Sequence, residues 1–197
     1  MPKVIDHDQR RSDIIDVTWA LIVKGGLEAA TMREIASEAG FANGALKHYF
    51  PGKDEIIQGT YDRALGMMSE GVASAVGDAT GLEALRAIVY ASAPLTEEAI
   101  VAGRVLLSFW ERAMSNDDLH QAYLSHLTSW RGGLRTYIEQ GRAAGDIVTS
   151  TPDEQLVDEI VLINVGANVM SLIAPHLSTP ALLEAQLDAF FERITTA

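Results

Sequence analysis

Residues 31–53, TMREIASEAGFANGALKHYFPGK, predict two short helices joined by a tight turn. Thr31 and Glu34 form a capping-box pattern, in which a hydroxyl and a carboxylate satisfy free N–H groups at a helix start. Gly40 is a good helix stop, and Pro51-Gly52 ends the second helix. A helix, a tight turn and a second helix are the arrangement that places one helix in the major groove of DNA.

The charge of this stretch differs from that of the rest of the chain. The 197 residues carry 27 Asp and Glu against 15 Lys and Arg, a formal net charge of −12, yet residues 39–53 contain no carboxylate. Long-range attraction of the whole molecule to DNA is therefore weak. A local patch with Lys47, His48 and Lys53 can still bind phosphate, because charges beyond about 10 Å are largely screened.

The composition excludes several classes of protein. The absence of cysteine excludes disulfide scaffolds, thiolate metal sites and cysteine nucleophiles. The N-terminus is polar and shows no signal peptide. The most apolar run, residues 160–175, is interrupted by Asn164, Asn168 and Ser171 and is shorter than the roughly 20 residues of a membrane-spanning helix. We therefore expect a soluble cytoplasmic protein without a membrane partner.

Apolar residues recur at helical spacing along almost the whole chain. The pattern predicts an all-α protein of about nine helices and no strand, with three short helices at about residues 8–25, 31–39 and 43–50 and a longer one at about 54–76. Further helix starts are predicted at Thr80, Thr96, Thr151-Pro152 and Thr179-Pro180. We assign residues 1–53 to a helix-turn-helix DNA-binding domain and residues 54–197 to a helical ligand-binding and dimerisation domain.

Residues 31–57, TMREIASEAGFANGALKHYFPGKDEII, resemble the DNA-binding signature of TetR-type transcriptional regulators, and the similarity extends over about residues 10–62. The matching elements are Thr31, Ile35-Ala36, Ala39-Gly40, Gly44, Tyr49-Phe50 and Lys53. The resemblance implies a homodimeric regulator, most often a repressor, whose helical C-terminal half binds a small molecule. The motifs KHYF and FWERAM also resemble the betaine-biosynthesis repressor branch of this family, which responds to choline.

The resemblance implies phosphate contacts by Thr31, Tyr49 and Lys53, and a hydroxyl, a phenol and an ammonium are all suitable phosphate donors. Lys47 stands where the family usually has Tyr, so contact with a base and contact with a phosphate both stay open. Arg10 and Arg11 could reach the DNA backbone or minor groove. Ala42 stands where the family often has a capping Ser. The predicted DNA-binding set is Thr31, Arg33, Asn43, Ala45, Lys47, His48, Tyr49 and Lys53.

The second half of the chain contains no catalytic, nucleotide-binding or metal-binding motif, so we predict no catalytic residue, metal or cofactor. Aromatic and polar residues on its apolar helices either pack in the core or line a small-molecule pocket. Because this half is acidic, a pocket would favour a neutral or cationic effector, and tryptophan faces could hold a quaternary ammonium. The predicted ligand-binding set is Tyr61, Met68, Phe109, Trp110, Met114, Tyr123, Trp130, Asn164 and Asn168.

The last two helices are predicted to form a four-helix dimer interface from two copies of the chain. Its residues are Val161, Val165, Gly166, Val169, Leu183, Leu187, Phe190 and Phe191; a core within one chain is the alternative for them. The sequence thus predicts a ligand-responsive regulator, most often a repressor, that binds a near-palindromic operator in double-stranded DNA as a homodimer. The alternative is a helical small-molecule-binding protein or enzyme without a DNA role.

Overall fold

The computed structural model describes residues 6–42 and 44–196, and over these residues the chain forms eight α-helices, one short 3-10 helix and no strand. This confirms the all-α prediction of about nine helices. In chain order the elements are α1 His7–Ala29, α2 Met32–Glu38, the 3-10 helix Ala45–His48, α3 Lys53–Val76, α4 Gly81–Ser92, α5 Glu97–Ala113, α6 Asp117–Ala144, α7 Asp153–Ile173 and α8 Pro180–Thr195.

The described helices group into two compact units. The N-terminal unit contains the described residues up to Gly66 together with Arg104–His120, and the C-terminal unit contains Met67–Gly103 and the residues after Gln121. The structural division therefore differs from the boundary predicted at residue 53, because α3 runs without a break from Lys53 to Val76 and its first turns belong to the N-terminal unit. The DNA-binding domain over residues 1–53 stays a prediction about function.

The core of the N-terminal unit is built from apolar side chains of α1, α2, the 3-10 helix and the first turns of α3. Its fully buried members are Ile14, Ile22, Ile35, Leu46, Phe50, Ile56 and Tyr61. Two buried threonines fit this apolar environment because each donates its hydroxyl to a carbonyl one turn earlier, Thr18 to Ile14 and Thr60 to Ile56, both at 2.8 Å. Both buried hydroxyl groups of these threonines are thereby satisfied within their own helices.

The core of the C-terminal unit lies among α4, α6, α7 and α8. Two glycines allow α4 and α6 to approach closely: a Cβ added to Gly141 would lie 2.8 Å from Ile147 Cδ1, and one added to Gly81 would lie 3.2 Å from the Gly141 nitrogen. Arg142 orders the loop after α6, since its guanidinium donates to the Asp153 carboxylate at 2.5 Å and to the Thr149 carbonyl at 2.6 Å. The start of α7 is held in place by this arginine.

Helix α7 is apolar on two opposite faces. One face, with Leu156, Ile160 and Ser171, is buried in the core, whereas Leu162 and Ile173 on the other face are 71% and 70% exposed. By length and composition alone this 21-residue helix could cross a membrane, because it begins seven residues before the apolar run of residues 160–175. Packing of one face against α4 and α8 is the behaviour of a helix in a water-soluble bundle.

The predicted helix starts differ in how they are capped. The hydroxyls of Thr31, Thr96 and Thr179 accept hydrogen bonds from N–H groups three residues later, at 3.1, 3.2 and 3.3 Å. Thr80 precedes α4 without such a bond, and the first N–H of that helix donates to Gln140 instead. At the remaining predicted start, before α7, the N-cap residue is Pro152, and the Thr151 hydroxyl is paired with that of Thr149.

Candidate nucleic-acid interface and sensor residues

Helix α2 ends in a Schellman motif that sets the direction of the following turn. Gly40 has a left-handed φ of 71°, its N–H donates to the Ser37 carbonyl at 3.2 Å, and the Phe41 N–H donates to the Ala36 carbonyl at 2.8 Å. The stop predicted at Gly40 is confirmed. The chain therefore leaves α2 sharply, and the next element begins only a few residues later.

The second helix of the motif is shorter than predicted. The sequence predicts a helix over residues 43–50, but the described part is a 3-10 helix, Ala45–His48, preceded by Gly44 with a φ of 89°. A glycine in this conformation starts the helix late, and the N–H groups of Lys47 and Tyr49 bond three residues back, to Gly44 and Leu46. We call residues 44–50 the recognition turn.

The recognition turn presents the nitrogen-bearing side chains of Lys47 and His48 to solvent and one apolar side chain to the core. Leu46 is buried, Ala45 is half-buried, and Lys47 and His48 are exposed. The structure thus places both predicted DNA-contacting side chains on an exposed surface within the acid-free window of residues 39–53. Asn43, which was also predicted to contact DNA, lies outside the described residues.

Tyr49 lies in an aromatic cluster at the end of the recognition turn. Its ring centroid lies 4.6 Å from that of His7 and 5.3 Å from that of Phe41, which meets it edge-on. The next residue, Phe50, is buried. The ring of half-buried Tyr49 therefore packs against two neighbouring rings, and the phosphate contact of its phenol stays a prediction.

Three further residues of the predicted DNA-binding set, Thr31, Arg33 and Lys53, have structural partners as well. Thr31 is exposed, and because its oxygen accepts the Glu34 N–H, its hydroxyl hydrogen stays available as a donor. Arg33 is 81% exposed at its side chain, and its guanidinium lies 3.3 Å from the Glu34 carboxylate. Lys53 donates to the Leu27 carbonyl at 3.2 Å, which leaves two of its three N–H bonds for a phosphate.

An ion pair beside Lys53 was not predicted from the sequence. The Arg112 guanidinium donates to both carboxylate oxygens of Asp54, at 2.7 and 2.9 Å, and Asn116 donates to Asp54 at 2.9 Å. The hydrogen bond with Arg112 holds the pKa of Asp54 below its ordinary value, and the carboxylate in turn raises the pKa of Arg112. These residues lie 58 and 62 positions apart, so no local pattern could have indicated the contact.

The predicted ligand-binding residues of the N-terminal unit have different environments. Tyr61 and Phe109 are 1% exposed and stack with centroids 3.6 Å apart and planes 8° from parallel, which is the core-packing alternative. Trp110 is half-buried, whereas Met114 is 82% exposed. The predicted ligand-binding residue Met114 therefore lies near the end of α5 with its side chain in solvent.

In the C-terminal unit the predicted asparagines form a buried network with α4. Asn164 donates to the Ser92 carbonyl at 2.8 Å, and Asn168 donates to the Asn164 carbonyl at 3.0 Å. Asn164 therefore bonds to the facing helix α4, whereas Asn168 bonds within α7. Gly103 completes the contact, since a Cβ there would lie 3.1 Å from Asn168 Oδ1.

The other predicted ligand-binding residues of this unit are half-buried. Trp130 packs against the core, and Met68 is half-buried on α3. Burial raises the pKa of Tyr123 and lowers the pKa of His126, which lies on α6 and was not included in the predicted set. Tyr123 and His126 therefore lie in a partly dehydrated environment in which their uncharged forms are favoured.

The predicted dimer residues divide between the core and the surface. Leu183, Leu187, Phe190 and Phe191 are at most 4% exposed and pack in the core of their own chain, so for these four the intramolecular alternative applies and no surface is left for a second copy. Val161, Val165 and Val169 are half-buried and Gly166 is exposed. The apolar residues that α7, α8 and their connection expose were not predicted: Leu162, Met170, Ile173, Leu177 and Leu182.

Comparison with known proteins matches both halves of the chain. Residues 14–59 match the model of bacterial regulatory proteins of the tetR family, and residues 81–196 match the C-terminal domain of BetI-type transcriptional repressors. The regulator PksA of Bacillus subtilis is 32% identical over 81% of this chain and 76% of its own length. The regulator BetI of Serratia proteamaculans is 31% identical over 67% of this chain and 66% of its own length. A regulator from Saccharomonospora viridis, solved in complex with choline, shares the fold with a TM-score of 0.85 at 19% identity, over 94% of this chain and 96% of that one.

Proposed function

Because the chain belongs to the tetR family of bacterial regulatory proteins, we propose that it represses transcription by binding operator DNA as a homodimer and releases the DNA when a small molecule binds. The observation that supports this proposal best is the exposed pair Lys47 and His48 on a turn without carboxylates, in a chain whose net charge is −12. Phosphate binding is favoured by a surface that carries Lys47 and no carboxylate, although the chain as a whole is acidic. A repressor of this kind acts in the cytoplasm, on the bacterial chromosome.

We assign two kinds of DNA contact to the N-terminal unit. Thr31, Arg33, Tyr49 and Lys53 bind phosphates and fix the register of the protein on the duplex. Lys47 and His48, with Asn43 and Ala45 before them, enter the major groove, where an ammonium can donate to guanine acceptors. Two copies of the turn would contact half-sites about 34–36 Å apart, one turn of DNA, on a near-palindromic operator.

We assign the dimer interface to the outer face of α7 rather than to α8. Leu162, Gly166, Val169 and Ile173 follow one another at spacings of three or four residues and lie opposite the buried face of this helix. Apolar side chains that are about 70% exposed are typical of a surface that a partner covers. Gly166 would let the two α7 helices approach closely, and Leu182 would extend the contact from α8.

We propose a neutral or cationic effector. The BetI-type match and the choline complex of the Saccharomonospora viridis regulator make a quaternary ammonium the first compound to test. Tyr123 and Trp130 on α6 offer aromatic faces, which attract such a cation with about 1–2 kcal/mol when the site is dehydrated. An effector of this kind releases DNA only if it binds more tightly to the conformation that does not fit the operator.

Selection of DNA from a random library by the full-length chain tests the proposal. We expect an enriched near-palindrome, which Lys47→Ala with His48→Ala binds at least about tenfold more weakly, whereas Lys24→Ala, a control on the exposed end of α1, changes little. Choline is then added to the complex, with glycerol as an uncharged control. If no sequence is enriched at low salt, the chain is a helical small-molecule-binding protein without a DNA role.

A further inference from the structure

The first turns of α1 contact the recognition turn through residues that lie before the tetR-family match, which begins at residue 14. Arg11 makes two of these contacts. One guanidinium N–H donates to the backbone carbonyl of Tyr49, and the guanidinium carbon lies 4.1 Å from the ring centroid of Phe50. A single side chain thus holds two consecutive residues at the end of the recognition turn.

Neighbouring side chains of α1 contact the same aromatic cluster. The His7 ring lies 4.6 Å from the Tyr49 ring, and the Arg10 guanidinium carbon lies 5.5 Å from the ring centroid of Phe41. The first of these contacts joins two tilted rings, and the second places a guanidinium over a ring. Arg11 alone among them also bonds the backbone, so it can fix the direction of the peptide chain as well as the packing of a ring.

The recognition turn needs such a contact because it has little stability of its own. A 3-10 helix of four residues has too few internal hydrogen bonds to persist without tertiary contacts. Carbonyls at the end of a helix have no partner within it, and the Tyr49 carbonyl is one of these. Arg11 supplies that partner with a charged donor, and its cation lies over the face of Phe50, which is buried.

We propose that Arg11 is a positioning residue that sets the angle at which Lys47 and His48 meet the DNA, and thereby determines how well the operator is distinguished from other DNA. This inference rests on the proposed function. The competing role for Arg11 is a plain phosphate contact. A phosphate contact strengthens binding to every sequence. It also adds about 0.9 to the salt slope, the steepness with which the logarithm of the binding constant falls with the logarithm of the salt concentration. A positioning residue, in contrast, raises the affinity for the operator only.

The experiment compares Arg11→Lys and Arg11→Ala with wild type and with Lys24→Ala in the full-length chain. Lys keeps the charge of Arg11 but lacks the planar guanidinium that bonds a carbonyl and stacks on a ring at once. Lys24→Ala removes one exposed charge from the same helix. Each protein is titrated with the duplex that wild type selects and with a scrambled duplex of equal length, at several salt concentrations. Circular dichroism and thermal melting check the fold.

We expect both Arg11 variants to lower the ratio of operator affinity to scrambled-duplex affinity about tenfold, and Lys24→Ala to leave it unchanged. The salt slope of Arg11→Lys on the scrambled duplex should equal that of wild type. If Arg11→Lys keeps the wild-type ratio of the two affinities, the proposal is overturned. It is also overturned if Arg11→Ala loses the same affinity on both duplexes and has a smaller salt slope than wild type. If Arg11→Ala fails to fold, the affinity ratio of Arg11→Lys alone tests the proposal. If wild type selects no sequence, the proposed function fails first and this inference fails with it.

Discussion

Replacing Asp54 with Asn should destabilise the N-terminal unit, because this carboxylate joins the first turn of α3 to the end of α5 and the residues after it. Its two oxygens accept three hydrogen bonds, two from Arg112 at 2.7 and 2.9 Å and one from Asn116 at 2.9 Å. Asn has nearly the same shape but carries no charge, and its amide group faces the guanidinium with a donor instead of an acceptor. The substitution therefore breaks the ion pair without leaving a cavity.

The expected loss lies between the values for exposed and for buried ion pairs. The side chains of Asp54 and Arg112 are 30% and 39% exposed. Exposed pairs contribute up to about 1 kcal/mol and hydrogen bonds to charged groups about 1.5–3 kcal/mol, so we assign about 1.5 kcal/mol to this partly exposed, bidentate pair. Loss of a negative charge in the first turn of α3 adds about 0.5 kcal/mol. A total of about 2 kcal/mol lowers the Tm of a chain of this length by about 4–8 °C.

Urea unfolding at a fixed protein concentration measures this loss, and a double-mutant cycle with Arg112→Gln isolates the coupling between the two side chains. Arg33→Gln is the matched control, because it removes one partner of the Arg33–Glu34 pair, whose arginine is 81% exposed. The control should change the free energy of unfolding by less than about 0.5 kcal/mol. A coupling energy below about 0.3 kcal/mol for Asp54 and Arg112 would refute the reasoning.

The pH dependence of the same variants gives an independent check. The hydrogen bond with Arg112 lowers the pKa of Asp54 from its ordinary value of 3.8. A carboxylate with a lowered pKa adds stability above its unfolded-state pKa, and this stability is lost as the pH falls through the folded-state pKa. The difference between wild type and Asp54→Asn should therefore be complete at pH 7 and should shrink below about pH 4. An equal difference at about pH 3 would contradict the assigned ion pair.

Three further substitutions test the two proposed surfaces and the helix packing. Lys53→Ala should weaken binding to every duplex and lower the salt slope by about 0.9 in titrations at several salt concentrations; an unchanged slope would argue against a phosphate contact. Leu162→Glu should convert the proposed homodimer to a monomer in size-exclusion chromatography with light scattering, whereas Met114→Glu, at an 82% exposed position, should not; a surviving dimer would reject the α7 interface. Gly141→Ala should lower the free energy of unfolding by about 2 kcal/mol, because its Cβ would meet Ile147 at 2.8 Å, whereas Gly132→Ala meets no atom within 4 Å and should be neutral or stabilising.

The beginning of the DNA-binding motif could be predicted well from the sequence. Thr31 caps α2 through a bond three residues along the chain, and Gly40 ends the helix with two bonds that reach back no further than Ala36. These interactions involve residues only a few positions apart, so the residue types carry the information. The length of the next helix could not be predicted in the same way, because a short helix with Gly44 at its start depends on tertiary contacts such as the one from Arg11.

The apolar pattern of the last two helices shows another limit. Helical spacing identified Leu183, Leu187 and Phe191 as one apolar stripe, and the structure places that stripe in the core of its own chain. A stripe indicates that a helix face avoids water, but it does not indicate which surface covers it. On α7, where both faces are apolar, only the structure distinguishes the buried Ile160 from the exposed Leu162.

The sequence by itself determined the family, the helical class and the position of the DNA-binding motif, because caps, stops and hydrophobic periodicity act over a few residues. The tertiary structure alone decided which side chains meet over long distances: Asp54 with Arg112, Asn164 with Ser92 on α4, and Arg11 with the Tyr49 carbonyl. Each of these contacts depends on the packing of whole helices, which brings together residues 38 to 72 positions apart. Local residue patterns do not indicate which residues at such separations along the chain come into contact.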